Sequence, residues 1–232
     1  MNKVLKQVQL TEDNHLLLVF QDQTRVICDK LVLAIPGPIY GDISFAETVL
    51  PANRLQLIQK VQYGTNAKIL IPIKDKNALY NTVITPKMIA FLNADQKLLN
   101  MYFSGESGAH LTNAQQELFD EGTEAIRLGF QGIKVGQEQP VAARDVQFER
   151  YQTPVIKSWA MDPYAKGSYS NFGLGLGEKL AEMTIYKGIR VKSIFEPIGD
   201  RVYFVGEHST ILDEIGTMEA AVESGARIAH LF

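Results

Sequence analysis

The chain has 232 residues, 46% of them hydrophobic and 21% charged, the composition of a globular protein of one or two domains able to bury a large core. Its net charge of -3 gives no electrostatic reason to expect nucleic acid or an anionic membrane as partner. Cys28 is the single cysteine, which excludes an internal disulfide and fits a small buried apolar residue in a reducing compartment.

The opening Met1-Asn2-Lys3-Val4-Leu5-Lys6 runs straight into Thr11-Glu12-Asp13-Asn14, so no apolar signal stretch is expected there. No later apolar run reaches the length of a bilayer span. The expectation is a soluble, cytoplasmic chain.

Taken in order, Val4 to Leu10, His15 to Phe20 and Thr24 to Cys28 read as a β-meander, bounded by polar turns such as Glu12-Asp13-Asn14 and Asp22-Gln23. Leu31 to Pro36 is a continuous apolar run stopped by Pro36-Gly37-Pro38, the pattern of a strand buried on both faces of a parallel sheet. Pro51 opens a helix to about Lys60, with Leu55, Ile58 and Val61 at helical spacing. Strands follow at Ala67 to Ile73, Met88 to Leu92 and Lys97 to Phe103. Asn113 to Phe130 forms an amphipathic helix, and strand character resumes at Val146 to Tyr151. The last third holds a Gly173-Leu174-Gly175-Leu176-Gly177 loop, a helix-like run, a strand from Arg201 to Val205, and a final helix from about Gly216. The outline is mixed α and β.

The end of the chain carries the most chemistry. A buried strand delivers the chain to Gly206-Glu207-His208, and after a loop a helix begins near Gly216 with free N–H groups and a dipole suited to an anion or carbonyl. Spacing alone fits an ordinary β-loop-α unit in which Glu219 complements the macrodipole. The residues themselves, Gly206-Glu207-His208 and then Gly216-Thr217-Met218-Glu219-Ala220-Ala221-Val222-Glu223-Ser224-Gly225, resemble the closing signature of the flavin-containing amine oxidase family. That signature is Gly-Glu or Gly-Thr, a loop, then Gly-x-Met-Glu-Gly-Ala-Val-x-Ser-Gly. Ala220 replaces its usual glycine.

A second similarity runs from Asp29 through Leu31 to Pro36, then Ile43-Ser44-Phe45, Leu50-Pro51 and Asn53 to Gly64, ending in Tyr63-Gly64 with Lys68 four residues on. Lys68 sits in an otherwise apolar run, where a lysine either snorkels or meets a buried partner. A third is Trp159, then Tyr164, then Gly167-Ser168-Tyr169-Ser170. Trp159 also fits plain core packing.

The resemblance implies FAD as cofactor, with Gly206, Glu207, Thr217, Met218, Ser168 and Pro36 lining it. Attachment is non-covalent at Ser168, where monoamine oxidases carry the cysteine joined to the flavin. It implies a catalytic Lys68 holding a water beside flavin N5, and a substrate pocket including Tyr169, Thr217 and Trp159. Thr217 stands where the family often has the second aromatic wall opposite Tyr169, which points to a broader amine, polyamine or amino-acid specificity. The implied fold is part of an FAD-binding doubly wound α/β domain with a mixed-sheet substrate domain. The cofactor domain would take residues 1–50 and 155–232, and the substrate domain residues 51–154.

The histidines show no spacing that suggests a metal. No Gly-x-Gly-x-x-Gly unit, which seats the ADP half of such cofactors, occurs in the sequence. A small-molecule amine is the expected substrate, and a separate chain carrying that unit, or a longer chain, the expected complement. The alternatives are a non-catalytic remnant or binding module of the same fold, and a flavin desaturase or porphyrinogen oxidase, which Lys68 and Gly167-Ser168-Tyr169 fit less well.

Overall fold

The computed structural model describes residues 3–72, 82–84, 88–92, 98–109, 111, 155–173 and 177–232. In chain order the elements are β1 (Leu5–Leu10), β2 (Leu16–Phe20), β3 (Arg25–Cys28), β4 (Leu31–Leu33), β5 (Ser44–Phe45), α1 (Ala52–Ile58), β6 (Gln62–Tyr63) and β7 (Ala67–Pro72). There follow β8 (Val83–Ile84), β9 (Met88–Leu92), β10 (Leu98–Phe103), α2 (Gly105–Ala109), β11 (Val155–Ser158), β12 (Ser170–Asn171) and α3 (Gly177–Ala181). The last are β13 (Met183–Tyr186), β14 (Ile189–Lys192), β15 (Val202–Phe204) and α4 (Met218–Ala229). They fall into two units, one of Met1–Tyr63 with Pro163–Phe232, the other Gly64–Asp162.

In the first unit the expected meander is present: β1, β2 and β3 pair antiparallel, and β5 adds to β1 in parallel. Alternation sends Val8, Leu16 and Leu18 to one buried face, the period-2 pattern that specifies register. These side chains join a core with Leu33, Tyr40, Ile58, Phe195 and Phe204. Tyr40 stacks on both Phe45 and Phe204, with ring centroids 6.2 and 6.1 Å apart. Burying each such ring contributes about 1.5–3 kcal/mol.

The strand expected over Leu31 to Pro36 is shorter and less covered than its sequence suggests. Only Leu31–Leu33 forms a strand; it pairs in parallel with β15, Leu31 opposite Val202 and Leu33 opposite Phe204. Val32 between them is 43% exposed, so β4 is not buried on both faces, and its far edge has no strand partner among the described residues. The apolar run marks a strand fitted for a neighbour on each side, of which these residues supply one. Cys28 is likewise half-buried rather than buried.

The helix-like run after Gly177 also needs correction. Helix α3 takes one turn and a half, and then β13 and β14 form an antiparallel hairpin with Met183 opposite Lys192. Lys187 and Gly188, at φ 47° and 81°, make the two-residue turn, whose hand suits the twist of the flanking strands.

The second unit is one antiparallel sheet in the order β11-β7-β10-β9-β8. Ala67, Ile69 and Ile71 of β7, with Leu99, Met101 and Phe103 of β10, form its buried face. The helix expected over 113–130 and the strand over 146–151 lie outside the described residues. Among the described residues no helix is long and apolar enough to cross a membrane.

Candidate functional site

Strand β15 is wholly buried and leads through Val205 to Gly206, whose φ of 131° is strained for any residue with a Cβ. A methyl group there would stand 2.6 Å from the His208 ring. The Gly206 N–H donates to Ser224 Oγ at 2.8 Å, and that hydroxyl donates to the Ala221 carbonyl, also at 2.8 Å. A fully buried serine on α4 therefore fixes the turn at which β15 ends.

The next residue is a hub. The Glu207 carboxylate accepts from the Ser170 N–H at 2.8 Å, the Ser170 hydroxyl at 2.6 Å and the Gly216 N–H at 2.9 Å. Three segments far apart in sequence thus converge on one carboxylate: the Gly167–Ser170 stretch, the end of β15 and the entry to α4. Charge-assisted bonds of this kind are the stronger ones. The carboxylate is occupied by protein donors, so its contribution is to organise the surrounding backbone.

Gly216 lies directly against Tyr169; a Cβ at 216 would sit 3.1 Å from the ring. This close approach seats Tyr169, itself 42% exposed, beside the start of α4. Thr217 is the N-cap: its hydroxyl accepts from the Ala220 N–H at 3.1 Å and donates to the Glu214 carbonyl at 3.1 Å. With Ala221 N bonded to the Thr217 carbonyl, the amides of Met218 and Glu219 are first-turn donors with no acceptor inside the helix. Met218 is 80% exposed. The arrangement can receive a carbonyl or an anion at that end.

From its middle onward the helix holds the intervening loop. Glu223 accepts from the Thr210 hydroxyl at 2.6 Å and the Ile211 N–H at 3.2 Å, while Arg227 bonds Glu223 at 2.5 Å and the Ser209 carbonyl at 2.8 Å. Pro36 precedes a 3₁₀ turn over Gly37–Asp42. The Gly37 N–H donates to Tyr63 Oη at 3.0 Å, and burial pushes the Tyr63 phenol above its ordinary value. Ser168 Oγ is buried without a hydrogen-bond partner among the described residues.

His208 is buried edge-on to Phe195, ring centroids 4.9 Å apart, and burial, then the nearby Lys192 charge, push its pKa down to about 4. It is therefore a neutral packing residue at pH 7. Sequence reasoning missed Ser224 and Lys192. The serine belongs to the closing signature, but nothing in the spacing reveals that its hydroxyl meets Gly206; a lysine in a short alternating strand signals nothing by itself.

In the other unit, Lys68 projects from the half-buried face of β7. Its ammonium stands 5.6 Å from the Tyr102 ring centroid, and Lys157 of β11 lies directly opposite in register. Trp159 is 39% exposed, too open for the core-packing role that a lone tryptophan suggests, and the Lys157 ammonium stands 4.9 Å over its ring. Its backbone N–H donates to the Asn66 carbonyl at 3.2 Å. Among the described residues no group of three or more histidine, cysteine or carboxylate side chains could hold a metal ion.

A family model described as flavin containing amine oxidoreductase matches residues 1–231. Solved structures that resemble this one come from a redesign of cofactor binding in putrescine oxidase. The wild type bound to putrescine is 18% identical with a TM-score of 0.67. A triple mutant is 19% identical at 0.67, and a double mutant 19% at 0.66. Each likeness covers 99% of this chain and 48% of the other, so the chain spans about half the length of the structures it matches. No curated protein matches it by sequence.

Proposed function

The chain belongs to the flavin-containing amine oxidoreductase family, and from that membership we propose that it is the portion of an FAD-dependent amine oxidase that holds the flavin ring and one wall of the substrate pocket. The observation that carries this reading is the Glu207 hub, which gathers Ser170, Gly216 and the end of β15 around the open amino end of α4.

The residues present fit the cofactor. Met218 and Thr217 frame first-turn amides suited to a carbonyl that gains negative charge, Gly206 leaves its turn without a side chain, and Ser168 offers a hydroxyl with no partner among the described residues. Pro36 would line the same cofactor from the end of β4. FAD, when bound, supplies the two-electron acceptor for amine oxidation. Glu207 acts by fixing backbone, and Ser168 cannot form the thioether that a cysteine would. Lys68 would hold a water molecule through its ammonium, and Tyr169, Thr217 and Trp159 would bound the substrate, orienting an amine and excluding bulk water. On this reading residues 1–50 and 155–232 belong to the cofactor domain and 51–154 to the substrate domain.

The substrate is a small amine or amino acid. The far edge of β4, unpaired among the described residues, suits a parallel strand from a Gly-x-Gly-x-x-Gly unit, supplied by a separate chain or by a longer form of this one. A non-catalytic binding module is the second reading, favoured by the engagement of the Glu207 carboxylate in protein hydrogen bonds. Oxygen uptake or dye reduction by the assembled protein, across monoamines, diamines and L-amino acids, tests the activity. Turnover with one class supports the oxidase; bound flavin with no turnover on any of them supports the module.

A further inference from the structure

We infer that Lys192 is a positioning residue: a buried counter-charge that keeps the Glu207 carboxylate bonded to Ser170 and Gly216. It stands at the end of β14, 2% exposed, which is rare for a lysine. Its ammonium donates to the His208 carbonyl at 3.2 Å and lies 4.3 Å from the Phe172 ring centroid. The carbonyl it grips belongs to the residue after Glu207, so the lysine is fastened to the same turn that carries the carboxylate. The charged and titratable groups that act on it are Glu207, Glu223 and Arg227, with His208 alongside.

Charging this lysine works against the fold. Burial pushes its pKa down to about 8, while Glu207 and Glu223 pull it back up and Arg227 pushes it further down. An ammonium whose folded pKa lies below its ordinary value of 10.5 disfavours the fold when charged. The unfolded chain binds the extra proton between pH 8 and 10.5, so stability rises through that window. What this buried charge holds in place is given by its hydrogen bond to the His208 carbonyl at 3.2 Å, which fastens the turn carrying Glu207 on the residue before it. The inference concerns the protein's own bonds and stands whether or not flavin is the ligand.

Hydrogen exchange on the chain without added flavin tests it. Lys192→Met should speed exchange at the Ser170 and Gly216 amides, the two backbone donors to Glu207, while the midpoint of thermal unfolding stays level or rises. Unchanged exchange at those amides, or a uniform loss of protection with a fallen midpoint, would overturn it. Glu207→Gln supplies a second measurement should the methionine variant not fold. With the carboxylate charge gone, the rise in stability that begins near pH 8 should begin at lower pH; a rise left in place contradicts the assignment.

Discussion

Gly206 donates its backbone N–H to the Ser224 hydroxyl at 2.8 Å, so the turn that ends β15 is fastened to the second turn of α4. Strand end and helix are thereby held as one unit, on which the open amides of Met218 and Glu219 depend for their place. Ser224→Ala removes the acceptor from a buried site and leaves the Gly206 N–H without a partner. The expected cost is about 1–3 kcal/mol, read from urea unfolding. A variant as stable as the parent would show that the bond is dispensable.

Gly206→Ala strikes the same turn differently. A φ of 131°, with the His208 ring 2.6 Å from the position an added methyl would take, combines backbone strain with a clash, and strain of this kind costs about 1–3 kcal/mol by itself. Adding His208→Ala should relieve the clash and leave the strain, so the double variant recovers part of the lost stability. Full recovery would mean that the backbone conformation costs nothing.

Acid should unfold the chain partly through His208. Its folded pKa of about 4 lies below the ordinary 6.5, so below pH 6.5 the unfolded chain takes up a proton that the folded chain refuses. Stability is then lost as pH falls from 6.5 toward 4. His208→Phe should flatten that part of the pH profile, measured as unfolding midpoints across the range, and an unaltered slope would place the proton uptake elsewhere.

Thr217→Ala should cost about 1 kcal/mol through loss of the N-cap on Ala220, with Thr217→Ser close to the parent. Because the cap sets the first turn of α4, the alanine variant should also weaken flavin retention in the assembled protein. Loss of stability with flavin binding untouched would separate the cap from the cofactor.

Lys68→Met leaves every described hydrogen bond of the first unit in place. In the assembled protein it should lower kcat about a hundredfold, the scale of a lost proton-handling group, with the flavin still bound. Unchanged turnover would reduce Lys68 to a lysine packed beside Tyr102.

What the sequence reveals follows from the range of each interaction. The meander was legible because Val8 alternates with Gln7 and Gln9, and the short apolar run Leu16 to Phe20 is bounded by polar turns, all local features. Helix α4 was legible from the Gly216-Thr217-Met218 start. The β13–β14 hairpin was not, since Lys187-Gly188 is a weak turn signal and an apolar run so short fits helix or strand alike. The reach of β4 was overread because an apolar run records what a strand is fitted to meet, while the described residues provide a partner on one side only. Motif residues such as Glu207 were legible as members of a site; their partners were not. Ser170 and Gly216 meet Glu207, and Lys192 meets the neighbouring His208 carbonyl, only after folding, and no spacing in the chain encodes those meetings.

The most direct test of the central claim is the visible absorbance spectrum of the purified protein, alone and co-expressed with a chain supplying a Gly-x-Gly-x-x-Gly unit, before and after addition of amines. Flavin bands that bleach when an amine or amino acid is added are the predicted result; a preparation without flavin in either form would contradict the account.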